Sequence, residues 1–289
     1  MTPRRRQERR AAIAFVAPAV VALATLTLAP ALWVFWLSLR DRVPVFGIDR
    51  FVGLDHYVFF AGDPRFWSAL RVTVTFTVTS VALELGLGVL VALALHRQRL
   101  GRRAALALLL LAWALPGVVT AKVFEWLYQP VAGLVNVVLG ATVNWLGDPT
   151  LALPALVVAD VWRTMPFVAL FAYARLLTIP QAVWEAAAVD GAVGWSRFQR
   201  VTLPLLAPVL LVALLFRTLD ALRAFDIMFV LTGGGPAGMT ETLTVYAYRS
   251  LFQTLRLGFG SALGVIVFVI VMVVAAAYLI VLRRQERAA

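Results

Sequence analysis

Six long apolar runs limit what this chain can become. A helix needs about 20 mostly apolar residues to cross a hydrocarbon core about 30 Å thick. Runs of that kind occupy roughly 12–39, 68–95, 104–128, 151–177, 204–230 and 259–282. No water is available in that core, so each segment must satisfy its own backbone N–H and C=O groups, as a helix does. The sequence therefore predicts an all-α, polytopic membrane protein with about six transmembrane helices. Composition agrees. Of the 289 residues, 62% are hydrophobic and 14% charged, against about 25% charged in a soluble domain. Charges and turn formers collect between the runs, at Asp41 to Pro44, Gly62-Asp63-Pro64, Gly147-Asp148-Pro149 and Gly233 to Pro236.

Arginine placement orients the spans. A net charge of +11 would suggest nucleic acid in a soluble protein. Here basic residues held on the cytoplasmic side account for it, and no nucleic-acid partner is expected. With the N-terminus inside, the cytoplasmic segments are 1–11, 96–103, 178–203 and 283–289. They hold most of the clustered arginines, including Arg4, Arg5, Arg6, Arg9, Arg10, Arg97, Arg99, Arg102, Arg103, Arg197, Arg200, Arg283, Arg284 and Arg287. The external segments are offset by Asp41, Asp49, Asp55, Asp63, Asp148 and Glu241. The organisation expected is a basic cytoplasmic N-terminus (1–11), a six-helix membrane domain (12–282) and a cytoplasmic tail (283–289). The apolar run after Arg10 exceeds the roughly 7–15 residues of a signal peptide, so it reads as a retained span in contact with lipid. There is no cysteine, hence no disulfide or thiolate metal site. His56 and His96 lie far apart without neighbouring ligands, and no metal is expected.

The longest cytoplasmic loop runs from Thr178 to Leu203. Pro180 opens it, and Gln181 to Val189 is Ala-rich and helix-forming. Asp190-Gly191 stops that helix, glycine tolerating the left-handed conformation a helix end needs. A second helical stretch places Trp195, Phe198 and Val201 at i, i+3, i+6 before Pro204 starts the next span. Residue types alone leave two readings open, an interfacial connector and a docking surface with Glu185 and Asp190 facing a basic partner.

The spacing carries a resemblance. Glu185-Ala186-Ala187, three residues, Gly191, nine residues, Val201, one residue and Leu203-Pro204 resembles the EAA loop of binding-protein-dependent ABC importer permeases, with Val201 where isoleucine is commoner. Arg217-Thr-Leu-Asp220-Ala-Leu-Arg223-Ala-Phe225-Asp226 and Leu231-Thr-Gly-Gly-Gly-Pro236 are similar to MalF-type and UgpA-type sugar permeases, nearest to the SugA-like trehalose/maltose group. The resemblance implies the transmembrane domain of a type I ABC importer in the cytoplasmic (inner) membrane of a bacterium. It implies a second, MalG/SugB-like permease, two cytoplasmic ATPase subunits and an extracytoplasmic solute-binding protein or lipoprotein as partners. Glu185, Ala186, Ala187, Asp190, Gly191, Leu203 and Pro204 would form the ATPase-coupling loop. ATP and Mg would be held by the ATPases, this chain being a transport subunit, not an enzyme. The chain agrees in having no G-x-x-x-x-G-K-[ST] sequence, the loop that cradles nucleotide phosphates.

Charges inside spans are costly and are functional candidates. Asp160 and Arg163 share a helix face on the fourth span. Arg217, Asp220 and Arg223 repeat the three-residue spacing on the fifth, near Asp226. Trp162, Phe167, Tyr173, Phe216 and Phe225 could offer aromatic surface to a sugar. Asp160, Trp162, Arg163, Phe167, Arg217, Asp220, Arg223 and Asp226 are the candidates for the translocation path. The alternative is a set of structural ion pairs, Asp160–Arg163 and Asp220–Arg223. Glu84, Lys122 and Glu125 are weaker candidates, the last two expected to pair locally. The external segment Leu231 to Gly258 suits either a binding-protein contact or an interfacial helix. An anionic solute such as glycerol phosphate also stays open, because arginines recur among the candidates. A secondary transporter would need internal symmetry and an ion site, and a scaffold would not need the loop.

Overall fold

The structure is a computed structural model that describes residues 3–98 and 100–288, with side chains for 13–98 and 100–283. The basic N-terminus and nearly all of the tail thus lie outside the described side chains. In chain order, α1 (Pro3–Leu23) passes through one π-helical turn into α2 (Ala29–Ser38), then β1 (Arg40–Val43), β2 (Ile48–Phe51), α3 (Asp55–Gly62) and α4 (Pro64–Arg97). There follow α5 (Arg102–Ala114), α6 (Gly117–Leu127), α7 (Leu134–Leu139), α8 (Ala152–Leu177), α9 (Gln181–Val189), α10 (Gly194–Arg197) and α11 (Leu203–Ala221). The chain ends with α12 (Asp226–Leu231), α13 (Leu243–Tyr248) and α14 (Leu257–Ala288). Among the described residues, five helical segments are long and apolar enough to cross a membrane, or six when α5 and α6 count as one span. The all-α, polytopic reading holds.

The third run, 104–128, is not one continuous helix. α5 and α6 meet at a bend of 102°. Pro116 has no N–H for the helix ladder and its ring crowds the preceding turn. It also biases Leu115 toward extended backbone, and Leu115 sits at φ −67°, ψ 133°. The fifth run is displaced from 204–230, because α10, a π-helical turn and α11 form one continuous helix of 28 residues from Gly194 to Ala221, so the span does not begin at Pro204. α11 stops at Ala221, the last turn tightening through Arg223 N–H to Asp220 O and Ala224 N–H to Ala221 O, both 3.1 Å. Phe225 then takes an extended-side φ of −129°, and Asp226 opens α12, an acid suited to a helix start. The turn at Gly147 to Pro149 is as expected. Asp148 Oδ1 accepts from the Thr150 hydroxyl (2.6 Å), the Thr150 amide (2.7 Å) and the Leu151 amide (3.3 Å). Those bonds, the hydroxyl first, hold its carboxyl below the usual carboxylate range.

The chain forms two compact units. One joins residues 1–63 to 246–266. From Ile13 to Trp36 no residue of its first span is buried. The span ends in a hairpin with Arg40 opposite Phe51, fastened by ion pairs Arg40–Asp49 (2.7 Å) and Arg50–Asp41 (3.0 Å). The other unit joins 64–245 to 267–289 and is built on α4, α8 and α11. Phe76, Val81, Leu156, Ala159, Met228 and Val245 share one apolar core. Val89, Ala92, Leu95, Tyr173, Leu176, Ile179 and Leu206 share a second, beneath the 178–203 loop. α4 approaches α8 closely at Gly88, where a Cβ would stand 2.8 Å from Val168 Cβ. Small residues permit such backbone proximity in membranes.

Candidate functional site

The loop after α8 is a helix that projects and then stops. Thr178 caps α8, and Arg175 ties the joint by donating from Nε to Leu205 O (3.1 Å) and from Nη1 to Thr178 Oγ1 (3.2 Å). Ile179 and Leu176 are buried in the core below, so the loop's root is fixed. α9 ends in two paired bonds, Gly191 N–H to Ala188 O (3.1 Å) and Ala192 N–H to Ala187 O (2.9 Å). With Gly191 at φ +69°, this is a Schellman cap. Glu185, Ala186, Asp190 and Gly191 are exposed, while Ala187 is buried beneath the helix. Leu203 and Pro204 are also exposed, but stand apart at the start of α11. The turn adds bare apolar surface: Val189, Val193 and Trp195 are 87%, 69% and 68% exposed. Trp195 stacks on Phe198 with ring centroids 5.0 Å apart.

Farther along the same two helices lies a polar network. Arg217 on α11 donates from Nε to Glu84 Oε2 (2.5 Å), from Nη2 to Glu84 Oε1 (2.8 Å) and Asp160 Oδ2 (3.2 Å), and from Nη1 to Asp220 Oδ2 (2.5 Å). Thr164 donates to Glu84 Oε1 at 2.6 Å. Arg163 donates to Asp160 Oδ1 at 3.3 Å. Glu84 is fully buried, and the Asp160 and Arg217 side chains are 4% and 5% exposed. A lone charge here would carry a large desolvation cost, which pairing offsets. α4, α8 and α11 are thus joined by one guanidinium.

On the open side of the network is a recess of about 190 Å³. Asp160, Arg163, Arg217, Asp220, Arg223 and Asp226 all line it, as do Gly117 and Phe225. A Cβ on Gly117 would lie 2.9 Å from Asp226 Oδ2, so glycine lets α6 and α12 meet there. Six of the eight path candidates therefore converge. Trp162 and Phe167 do not. Trp162 packs edge-on to Phe124, and Phe167 lies among Trp113, Phe171 and Phe216. The expected pair Asp220–Arg223 does not form. Asp220 goes to Arg217, and Arg223 Nε donates to Leu219 O at 3.0 Å, because both partners lie toward their own preceding turn. Asp160–Arg163 and Lys122–Glu125 (2.6 Å) do form. Glu84 is the residue most undervalued in sequence. Its signal is being the only acid in the 34 residues of α4.

Comparison with known proteins follows the same lines. Residues 84–287 match the family described as the binding-protein-dependent transport system inner membrane component. The trehalose/maltose transport system permease protein MalF of Thermococcus litoralis is 40% identical over 268 residues, covering 91% of this chain and 90% of that one. The sulfoquinovosyl glycerol transport system permease protein SmoG of Agrobacterium fabrum is 36% identical over 288 residues, covering 96% and 92%. A bacterial ABC transporter involved in the import of the acidic polysaccharide alginate contains a chain with a TM-score of 0.83 at 23% identity, covering 96% of each chain, a likeness of fold. The chain belongs to the binding-protein-dependent ABC importer permeases, the inner membrane components of such transport systems.

Proposed function

We propose that this chain is one permease subunit of an ATP-driven importer for a saccharide, a disaccharide of the trehalose/maltose class. A second permease supplies the other half of the path. Two cytoplasmic ATPases hold ATP and Mg, and an extracytoplasmic solute-binding protein delivers the sugar. The loop 178–203 and both termini lie in the cytoplasm of a bacterial cell, and the spans in its inner membrane. One observation carries this reading. α8 and α11, which line the polar recess, are joined at their other ends by the exposed, Schellman-capped α9. A push on α9 therefore reaches both walls of the recess. Glu185, Ala187 and Gly191 act by charge and fit.

The recess also favours a neutral solute. Its three carboxylates, Asp160, Asp220 and Asp226, balance three guanidiniums, Arg163, Arg217 and Arg223. Alternating donors and acceptors suit sugar hydroxyls, whereas an anion would leave the carboxylates opposed to it. Among the relatives, MalF of T. litoralis is a trehalose/maltose permease and SmoG of A. fabrum a permease for sulfoquinovosyl glycerol, a sugar with an anionic sulfonate, so the recess lining is what favours the neutral class.

The test is uptake by the four-component complex in proteoliposomes, with labelled trehalose, maltose and glycerol phosphate. Disaccharide uptake should require ATP and binding protein, and glycerol phosphate should not compete. Gly191→Pro should leave assembly intact and separate ATP hydrolysis from uptake. Normal uptake with normal ATPase stimulation in that variant would overturn the coupling role, and glycerol phosphate as the transported solute would overturn the saccharide assignment.

A further inference from the structure

A second polar recess, of about 200 Å³, lies at the root of the 178–203 loop. It is bounded by the end of α4, the end of α8, the start of α9 and the joint between α10 and α11. His96, Arg97, Gln181, Trp184, Arg197 and Thr202 supply its polar and aromatic lining. It differs in kind from the charge-balanced recess between the spans, because no acidic residue lines it. Neither Arg97 nor Arg197 takes part in an ion pair among the described residues.

We infer that this recess is a site for a phosphate group, carried by an anionic phospholipid headgroup or by soluble phosphate. Three features converge. The Arg197 guanidinium carbon lies 5.9 Å from the centre of the Trp184 ring, and the His96 ring lies 6.0 Å from it, so one indole holds two basic groups at the recess. α9 starts at Gln181 without a side-chain cap, and uncapped helix amides favour an anion. Finally, basic pockets between helix ends on the cytoplasmic side are where lipid headgroups are held, and the arginine fork matches phosphate oxygens. The occupant would brace the base of α9, the element through which the proposed coupling passes. The inference rests on the proposed cytoplasmic placement of the 178–203 loop, not on ATP-driven transport.

The test uses the full chain, purified with its membrane partners in neutral detergent. Native mass spectrometry would count retained phosphatidylglycerol against phosphatidylcholine, and thermal unfolding would be followed with and without inorganic phosphate. Wild type should retain phosphatidylglycerol in preference. Each of Arg97→Gln and Arg197→Gln should weaken that retention about fivefold, and the pair together about thirtyfold. The double lysine variant, R97K with R197K, should retain binding, which separates lost charge from lost folding. Stabilisation by inorganic phosphate without lipid preference would assign the site to soluble phosphate. The inference fails if both lipids are retained alike and phosphate has no effect, as when an acidic partner segment is the true occupant. It also fails if the double glutamine variant binds as wild type.

Discussion

Arg217 donates from three nitrogens to three carboxylates on three different helices, so its loss takes a partner from all three at once. Arg217→Leu should destabilise the assembled chain by about 3–5 kcal/mol, the cost of an unpaired buried charge. Glu84→Gln in the same chain should restore part of that, with a coupling of about 0.5–3 kcal/mol expected for residues in contact. Unfolding in mixed detergent micelles would measure both, and strict additivity would show that the network does not act as one. Gly191 is a different case. A Cβ there meets nothing within 4 Å, so the cost of Gly191→Ala is the left-handed backbone alone, about 1–2 kcal/mol. Hydrogen exchange should show the Gly191 and Ala192 amides opening more readily, and Gly191→Asn should do less harm than alanine. Both sites show what was legible. Asp190-Gly191 was readable because a helix stop is local. Glu84 was not, because its partner lies 133 residues away and only the packing of α4 on α11 selects it.

The same division holds for elements. The long runs forecast α4, α8 and α14 well because a membrane span is a question of length and apolarity. Where the structure departs, the reason is a backbone event inside an apolar run. Pro116 breaks the third, and the turn at Leu222 to Phe225 breaks the fifth; hydropathy is indifferent to both. Helix contacts add a further layer. Gly88 lies against Val168, and the pair sets how near α4 comes to α8. Gly88→Ala should therefore force a local separation costing about 1–3 kcal/mol. Val168→Gly, which removes both the Cβ and the Cγ1 that the new methyl would meet, should relieve part of it when combined with Gly88→Ala, though on its own it leaves a void and destabilises. A double variant no more stable than Gly88→Ala alone would mean that the contact does not limit the helix approach.

At the scale of the whole molecule, the proposed mechanism depends on sidedness. The loop can meet an ATPase only if α9 lies in the cytoplasm, and a sugar can be delivered only if the segments around Asp148 and the 40–51 hairpin face outward. Charge is the physical basis for that orientation: arginines crowd the segments assigned to the cytoplasm, and acids offset the basic residues of those assigned outside. The chain offers a clean way to test it, since it contains no cysteine. Single cysteines can be exchanged in at Asp190, which is exposed, and at Asp148, which is half-buried, the second with loss of the turn bonds its carboxylate accepts but without disturbing a core. A membrane-impermeant thiol reagent applied to intact spheroplasts should label Asp148→Cys and spare Asp190→Cys. Inside-out vesicles should reverse the pattern. In vesicles carrying the ATPases, Asp190→Cys should become protected again while Asp148→Cys is unaffected, because the Schellman-capped turn would then be covered. Labelling of Asp190→Cys in intact spheroplasts would invert the topology and, with it, both the coupling assignment and the leaflet from which a lipid could reach Arg97 and Arg197.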